Sequence, residues 1–296
     1  MRVAVVGEPV GWHVGRLMER LAARGHEAAV VRWPDITASL GAADGSFGPP
    51  ALAAADAVLV RGMPGATASD ARLEEVVFRM DALALIAARG TRVINSPRAL
   101  ESAIDKYLSL ARLAAAGVPV PRTHVVQNVA QVAAAWGVLG GDCVVKPLFG
   151  SRGRGLHRLD SRTALTTWLD HPETRQRPHA IVYLQEFIQH GGWDARLFVL
   201  GTDVFAMRRR AAAGDWRTNI ARGGQPEPFA APQSWIDLAL RAAATLEAEI
   251  AGVDLVQAAD GSPVILEVNA VPGWQALQAV TGIDIADRVV GYVEAG

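Results

Sequence analysis

Val144-Val145-Lys146-Pro147-Leu148-Phe149-Gly150-Ser151-Arg152-Gly153-Arg154-Gly155 is the stretch that decides the fold. Cys143 to Lys146 reads as a short buried strand, and the residues after Pro147 read as a loop built on Gly150, Gly153 and Gly155. A cation ahead of the glycines excludes a Walker A loop, in which the lysine follows them. Glycines let backbone N–H groups approach a phosphate with no Cβ in the way, and Ser151 adds a hydroxyl donor; the bland alternative is an ordinary hairpin. The lysine count separates the two. Of 29 basic residues only Lys106 and Lys146 are lysine, the rest being arginine. A compact ammonium enters a narrow slot beside a phosphate that a guanidinium fork cannot, so both lysines are candidate phosphate contacts.

On the N-terminal side, Val3 to Val6, Trp12 to Arg24 and Ala28 to Val31 read as strand, helix and strand. Ala57 to Val60, a long helix from Ser69 to Arg89 and a strand from Thr91 to Asn95 extend this into an open α/β domain over residues 1–100. Gly7, Gly11 and Gly15 are spaced G-x3-G-x3-G, and no acidic residue follows at the right strand end, which excludes a dinucleotide fingerprint. One helix from Ala99 to Ala116 is expected to carry Asp105-Lys106. A central unit over 101–185 holds the glycine loop, with a strand from Ile181 to Leu184. A C-terminal unit over 186–296 reads as antiparallel, with hairpins at Gly201-Thr202 and Asp260-Gly261. Residues 41–50 and 222–232 read as loops.

The chain has 296 residues, 50% of them hydrophobic, enough for a substantial core. Its 29 basic and 30 acidic side chains leave a net charge of -1, which gives no field for nucleic acid or a membrane surface. No apolar run approaches the roughly 18 residues of a membrane span, and no secretory signal is expected at Met1-Arg2. Cys143, the only cysteine, excludes an internal disulfide and a multi-cysteine metal cluster. A cytoplasmic location is the expectation.

If Asp260-Gly261 forms a two-residue turn, Asp254 lies directly across from Glu267, and Asn269 shares the face of Glu267. Opposed carboxylates in apolar surroundings repel unless a cation sits between them, and the amide oxygen of Asn269 completes an all-oxygen set suited to magnesium. A longer loop around Pro263 would change that register, and solvent-facing turn residues are the alternative. Arg196 and Arg208 share the parity of the apolar Phe198 and Ala206, so both are expected to point inward, and Arg217 follows a short turn at Gly214. Inward arginines need anions. Arg209 and Arg210 read equally well as a basic rim or as functional groups.

Several stretches then fall into one order: Asn95-Ser96-Pro97, Asp105-Lys106, Val118 to Thr123, Val144 to Gly155, Gln185-Glu186-Phe187-Ile188, Asp194 to Arg196, Arg217-Thr218-Asn219, Gly252 to Leu255, and Glu267-Val268-Asn269 with Pro272-Gly273. Together they resemble the ATP-grasp ligases of the RimK-type glutamate ligase group. The resemblance implies an ATP-grasp fold: an N-terminal open α/β domain followed by two α+β subdomains that sandwich ATP. It implies nucleotide contacts from Lys106, Lys146, the loop Gly150, Ser151, Gly153 and Gly155, the linker Glu186, Phe187 and Ile188, and Asp194 near the ribose. It implies magnesium, or manganese in its place, on Asp254, Glu267 and Asn269. Arg196, Arg208 and Arg217 would face the transferred phosphoryl group and the substrate carboxylate, with Asn219 on the substrate.

The implied reaction joins an amine to a carboxylate through an acylphosphate, with a small-molecule carboxylate acceptor and L-glutamate as partners and a homo-oligomer left open. A narrower resemblance, carried by Arg79-Met80-Asp81, Trp216 to Asn219 and Ala270 to Trp274, is to glutamate ligases acting on tetrahydromethanopterin-type one-carbon cofactors. Trp12 and His13 would then line an aromatic acceptor pocket, or else form a structural pair at the start of the first helix. Gly7 to His13 departs from the generic pattern, which leaves open a peptide or carrier-protein acceptor. A non-catalytic ATP-binding module would show a damaged metal set, yet all three residues are present.

Overall fold

The computed structural model describes residues 1–41, 46–65, 73–148 and 155–296. The N-terminal layer contains β1 (Arg2–Val6), α1 (Trp12–Ala23), β2 (Glu27–Val31), the short pair β3 (Thr37–Ser39) and β4 (Ser46–Gly48), α2 (Pro50–Ala53), β5 (Ala57–Val60), α3 (Leu73–Ala88) and β6 (Arg92–Ile94). Its parallel sheet runs β2-β1-β5-β6. The unbroken apolar runs of β1 and β5 fit such a sheet, because both of its faces are covered. Val14, Leu17 and Leu21 form the buried stripe of α1.

The helix expected over Ala99 to Ala116 is two helices, α4 (Pro97–Ile104) and α5 (Lys106–Ala115). Asp105 is extended, and its carboxylate accepts the N–H groups of Tyr107 (2.8 Å) and Leu108 (3.1 Å). It is an N-cap, and the helix therefore breaks there and restarts with Lys106 in its first turn.

The middle sheet collects β7 (Thr123–Val126), α6 (Val132–Val138), β8 (Cys143–Lys146), β9 (His157–Leu159), α7 (Arg162–Asp170), α8 (Pro172–Arg175) and β10 (Val182–Glu186), with antiparallel order β7-β10-β8-β9. Beyond it lie β11 (Trp193–Leu200), β12 (Asp203–Arg210), β13 (Gln225–Pro228), α9 (Gln233–Thr245), β14 (Ile250–Gln257), β15 (Pro263–Asn269), α10 (Gln275–Thr281) and α11 (Ile285–Glu294). This antiparallel sheet runs β13-β12-β11-β14-β15. Gln225–Pro228, within a stretch that reads as loop, is its edge strand, where prolines cost no ladder bond. Ser46–Gly48 likewise falls in a stretch read as loop.

The turn at Asp260-Gly261 is not the two-residue one expected. Gln257 pairs with Pro263, and residues 258–262 form the connection, closed by Ala258 N–H to Ser262 O at 2.8 Å. That register alone would put Asp254 opposite Leu266. A bulge at Leu266 restores Asp254 to a position opposite Glu267. The expected pairing is present, but the bulge rather than the turn creates it.

The chain interleaves its layers. Leu110 and Leu113 of α5 pack with Leu197, Val253 and Trp235 of the C-terminal sheet and α9, while Val289, Val290 and Val293 of α11 return to Leu17 and Leu21 of α1. Asn95, 1% exposed, bolts the end of β6 to both strands of the carboxylate hairpin. Its Nδ2 donates to Ile250 O and Ala270 O, each at 2.6 Å, and its Oδ1 accepts from Ile250 N–H at 2.9 Å. Among the described residues no helix is long and apolar enough to cross a membrane.

Asn95→Leu keeps the volume and strands three buried backbone partners, each worth roughly 1 kcal/mol or more. Urea unfolding should show a loss of about 3 kcal/mol; an unchanged midpoint would show that the layers are held elsewhere.

Candidate active site

An open cleft with a cavity volume of about 90 Å³ lies between the middle and C-terminal sheets. Lys146 at the end of β8 and Glu186-Phe187-Ile188 at the end of β10 form one side; Asp254, Glu267, Asp194 and Arg209 form the other. Arg217 and Asn219 reach it from the segment after β12. These groups converge although they are spread over 122 positions in the chain.

Lys146 Nζ donates to Gln185 Oε1 at 2.5 Å, and Gln185 Nε2 in turn reaches the Tyr183 hydroxyl at 3.2 Å. Burial pulls the Lys146 pKa down to about 8; nearby Lys106 acts in the same direction, and Glu267 and Asp254 oppose it. Lys106 thus stands close enough, in the first turn of α5, for the two ammonium groups to feel each other. Gln185 has the Tyr183 side of β10 and is invisible to a reading that seeks charges.

The linker is fixed from outside the cleft. Arg122 donates to the Glu186 carboxylate from its backbone N–H (2.9 Å) and its Nε (2.5 Å), and Phe187 N–H donates to Asp142 O at 3.1 Å. The Arg158 guanidinium lies 3.5 Å over the Phe187 ring, and Trp216 meets that ring edge-on at 5.6 Å.

The electrostatic centre is a buried network of two arginines and two aspartates. Arg209 Nε and Nη2 donate to Asp194 at 2.8 and 2.5 Å, and Nη2 also lies 3.0 Å from Asp254. Arg196 grips both oxygens of Asp254. Burial alone would raise the Asp254 pKa, but Arg196 and Arg209 hold the carboxyl below the usual range. Burial likewise opposes the charge of Arg209, and Asp254 with Asp194 outweighs it, so the guanidinium stays charged.

Two expectations are corrected here. Arg208 points to the opposite face: it pairs with Ala195, while Met207 pairs with Arg196, so Arg209 is the residue on the face of Arg196 and Asp194. Both faces carry apolar neighbours, which is why Phe198 and Ala206 could not tell them apart. Arg208 binds Glu227 at 2.6 Å and lies over Trp193. Asp194 does not offer a free carboxylate to a ribose. It is 4% exposed, and its oxygens accept from Arg209 and from Thr218 Oγ1 at 2.6 Å, so it positions Arg209.

Arg217 is held by Asp215 at 2.9 Å on the cleft wall. Trp12 and His13 are not among the residues lining the cleft. His13 Nε2 accepts Trp274 N–H at 3.0 Å, and its ring meets Trp12 and Trp274 edge-on at 5.0 and 4.8 Å, a structural tie between α1 and the segment after β15. Gly150, Ser151 and Gly153 lie outside the described residues. Gly155 has φ +67°, the left-handed region that favours glycine.

The donor set fits a divalent cation. Asp254 Oδ1 accepts from Arg196 and, with its several lone pairs, has further acceptor capacity, and Glu267 stands across the strand pair. Among the described residues no cluster of three His, Cys, Asp or Glu side chains is placed to hold a metal; Asn269, two residues beyond Glu267 on β15, is the further oxygen donor the sequence offers.

Residues 103–293 match the RimK-like ATP-grasp domain. The chain belongs to the RimK-like ATP-grasp family. It is 35% identical over 266 residues to the tetrahydromethanopterin:alpha-L-glutamate ligase of Methanosarcina acetivorans, covering 81% of this chain and 80% of that one. It is 35% identical over 208 residues to the ribosomal protein bS6 L-glutamate ligase of Salmonella paratyphi B, covering 69% and 68%. Among solved structures it is similar to the ATP-grasp ligase PsnB complexed with minimal precursor, Mg and ADP, with TM-score 0.77, 26% identity and 99% and 96% coverage. This RimK-like chain is an ATP-dependent ligase, and the glutamate ligases among its relatives give its chemistry.

Arg208→Ala should retain ligase turnover within about threefold, whereas Arg209→Ala should lower it by about 100-fold or more, the typical effect of deleting a donor at developing charge. Steady-state kinetics on both variants checks the face assignment; equal losses would overturn it. The Lys146 ammonium is the form that attracts phosphate, so ADP affinity should be flat below pH about 8 and fall by up to about tenfold per pH unit above it. Calorimetric titration from pH 7 to 10 measures this, and a flat profile would remove Lys146 from the phosphate site.

Proposed function

We propose that this RimK-like ATP-grasp ligase adds L-glutamate to a small-molecule carboxylate acceptor of the tetrahydromethanopterin type. The acceptor carboxylate takes the γ-phosphoryl group of ATP, and ADP leaves. The glutamate amine attacks the acyl carbon, an amide forms, and phosphate departs with the C–O bond; the amine gives up a proton. The observation that carries the ligase chemistry is the convergence of Lys146, Arg209, Asp254 and Glu267 on one cleft.

Lys146 presents a compact cation to the phosphates, and Arg209, clamped by Asp194, offers a charge that needs no reorganisation as negative charge shifts between oxygens. Glu186 to Ile188 would run beside the nucleotide base, with Phe187 fixed by Arg158 and Trp216. Arg217 and Asn219 line the wall for the substrate. Magnesium held by Asp254, Glu267 and Asn269 would supply charge neutralisation on the phosphates. No protein nucleophile is needed.

The acceptor class rests on the match to the tetrahydromethanopterin ligase, which spans 266 residues against 208 for the ribosomal-protein ligases and so takes in more of this chain. A peptide acceptor is the second reading, supported by the near-complete structural overlap with PsnB in complex with its precursor. A module that binds ATP without catalysis is disfavoured by the intact oxygen-donor set.

The test combines the protein, ATP, magnesium and L-glutamate with either a tetrahydromethanopterin-type pterin or a glutamate-terminated peptide, with products read by mass spectrometry. A glutamyl adduct on the pterin is expected; an adduct on the peptide alone would favour the second reading. Glu267→Gln should reduce product by about 100-fold or more with an unchanged circular dichroism spectrum. Full turnover in that variant would displace Glu267 from the metal set.

A further inference from the structure

In the cleft the arginines are already paired: Arg196 with Asp254, Arg209 with Asp194 and Asp254, Arg217 with Asp215. One arginine nearby is different. Arg61 follows β5, and its backbone N–H donates to Val6 O at the end of β1. β1 leads to β2 on one side of the sheet and β5 lies on the other, so Arg61 stands at the point where the strand order reverses, the crevice in which open parallel sheets bind ligands. The crevice wall beside it is bare backbone: a Cβ on Gly7 would lie 3.4 Å from the Arg61 Cβ.

The Arg61 guanidinium stacks 4.2 Å over the Trp274 ring and donates one bond, from Nη2 to Pro272 O at 2.8 Å. Among the described residues its Nε, shut off from solvent, has no hydrogen-bond partner, and no carboxylate pairs with it. Burial lowers its pKa to about 9. A half-buried guanidinium with one nitrogen on a backbone carbonyl and no carboxylate beside it among the described residues can take an anion on its remaining N–H groups.

Direct contacts tie this seat to the catalytic strands. Pro272 abuts Gly252, where a Cβ would lie 2.7 Å from the Pro272 Cβ and 3.4 Å from Arg196 Cδ, and Arg196 holds Asp254. Arg61 thus meets the donor set from the N-terminal side through Pro272 and Gly252, and it is not among the residues lining the cleft.

We propose that Arg61 binds a second, non-reacting carboxylate of a substrate at the mouth of the β1–β5 crevice, so that the ligase selects substrates with two carboxyl groups. The inference rests on the ligase reading above. The carboxylate belongs either to the acceptor terminus or to the incoming amino acid, and two probes separate these: N-acetyl-L-glutamate, which has no free amine, and L-glutamate.

The experiment titrates each probe calorimetrically into the full chain with saturating ADP and magnesium, for wild type, Arg61→Met and Arg61→Lys. Arg61→Met keeps a long stem over Trp274 and removes a desolvated charge, so it should melt at the same temperature as wild type or higher. At least one probe should bind about tenfold or more weakly to Arg61→Met, with Arg61→Lys intermediate and ADP affinity within twofold of wild type. Loss for N-acetyl-L-glutamate alone places the seat under the acceptor, and loss for L-glutamate alone places it under the amino acid. Equal affinity of wild type and variant for both probes, or a wild type that binds ADP and neither probe, overturns the seat. A variant that loses ADP to the same degree overturns it too, because Arg61 would then act through the fold. A wild type that fails to bind ADP overturns the ligase reading instead.

Discussion

A single buried cation organises the catalytic half of this protein. Arg209, 4% exposed, is held between Asp194 on β11 and Asp254 on β14, and thereby locks three strands at the point where their functional side chains emerge. Taking such a group out of water is costly, and it is tolerated only because two carboxylates and the Thr218 hydroxyl complete the network. The same network keeps Asp254 ionised in an apolar sheet, the condition for it to serve as a cation ligand. Function and folding thus draw on one set of charges: removing the arginine would take from Asp194 its arginine partner and leave Asp254 to Arg196.

The second constraint is the seam between the N-terminal layer and the carboxylate hairpin. Asn95 accepts and donates across it, and His13 accepts the backbone N–H of Trp274. These bonds end on Ile250, the first residue of β14, and on Ala270 and Trp274 beyond β15, so the parallel sheet is tied to the strands bearing Asp254 and Glu267.

Lysine and arginine divide the work by shape. Arginines fill the sites where a fork meets a carboxylate, as at Arg158 with Asp142 and Arg196 with Asp254. Lys146 stands in the cleft, where it points a single ammonium at Gln185 and remains able to exchange that amide for a stronger acceptor, and Lys106 is close enough to act on its charge.

The sequence by itself determined the parts that depend on local pattern: the βαβ start, the strand ending in Lys146 and the hairpin at Gly201-Thr202. Alternation within a strand and turn chemistry suffice for these, and the ordered motifs pointed to the ligase family. Tertiary structure decided what alternation cannot reach. Which of Arg208 and Arg209 enters the site follows from the register between two strands, and in a sheet that is apolar on both faces no neighbour betrays it. The bulge at Leu266 is likewise silent in the sequence, and the break at Asp105 shows only once its carboxylate caps the next helix. Asp194 reads as a ligand contact until an arginine fifteen residues away in the chain is seen to occupy it. Arg61 looks like any other arginine because the want of a carboxylate beside it among the described residues is a property of three-dimensional neighbours, and pairing depends on distances that only the packed chain sets.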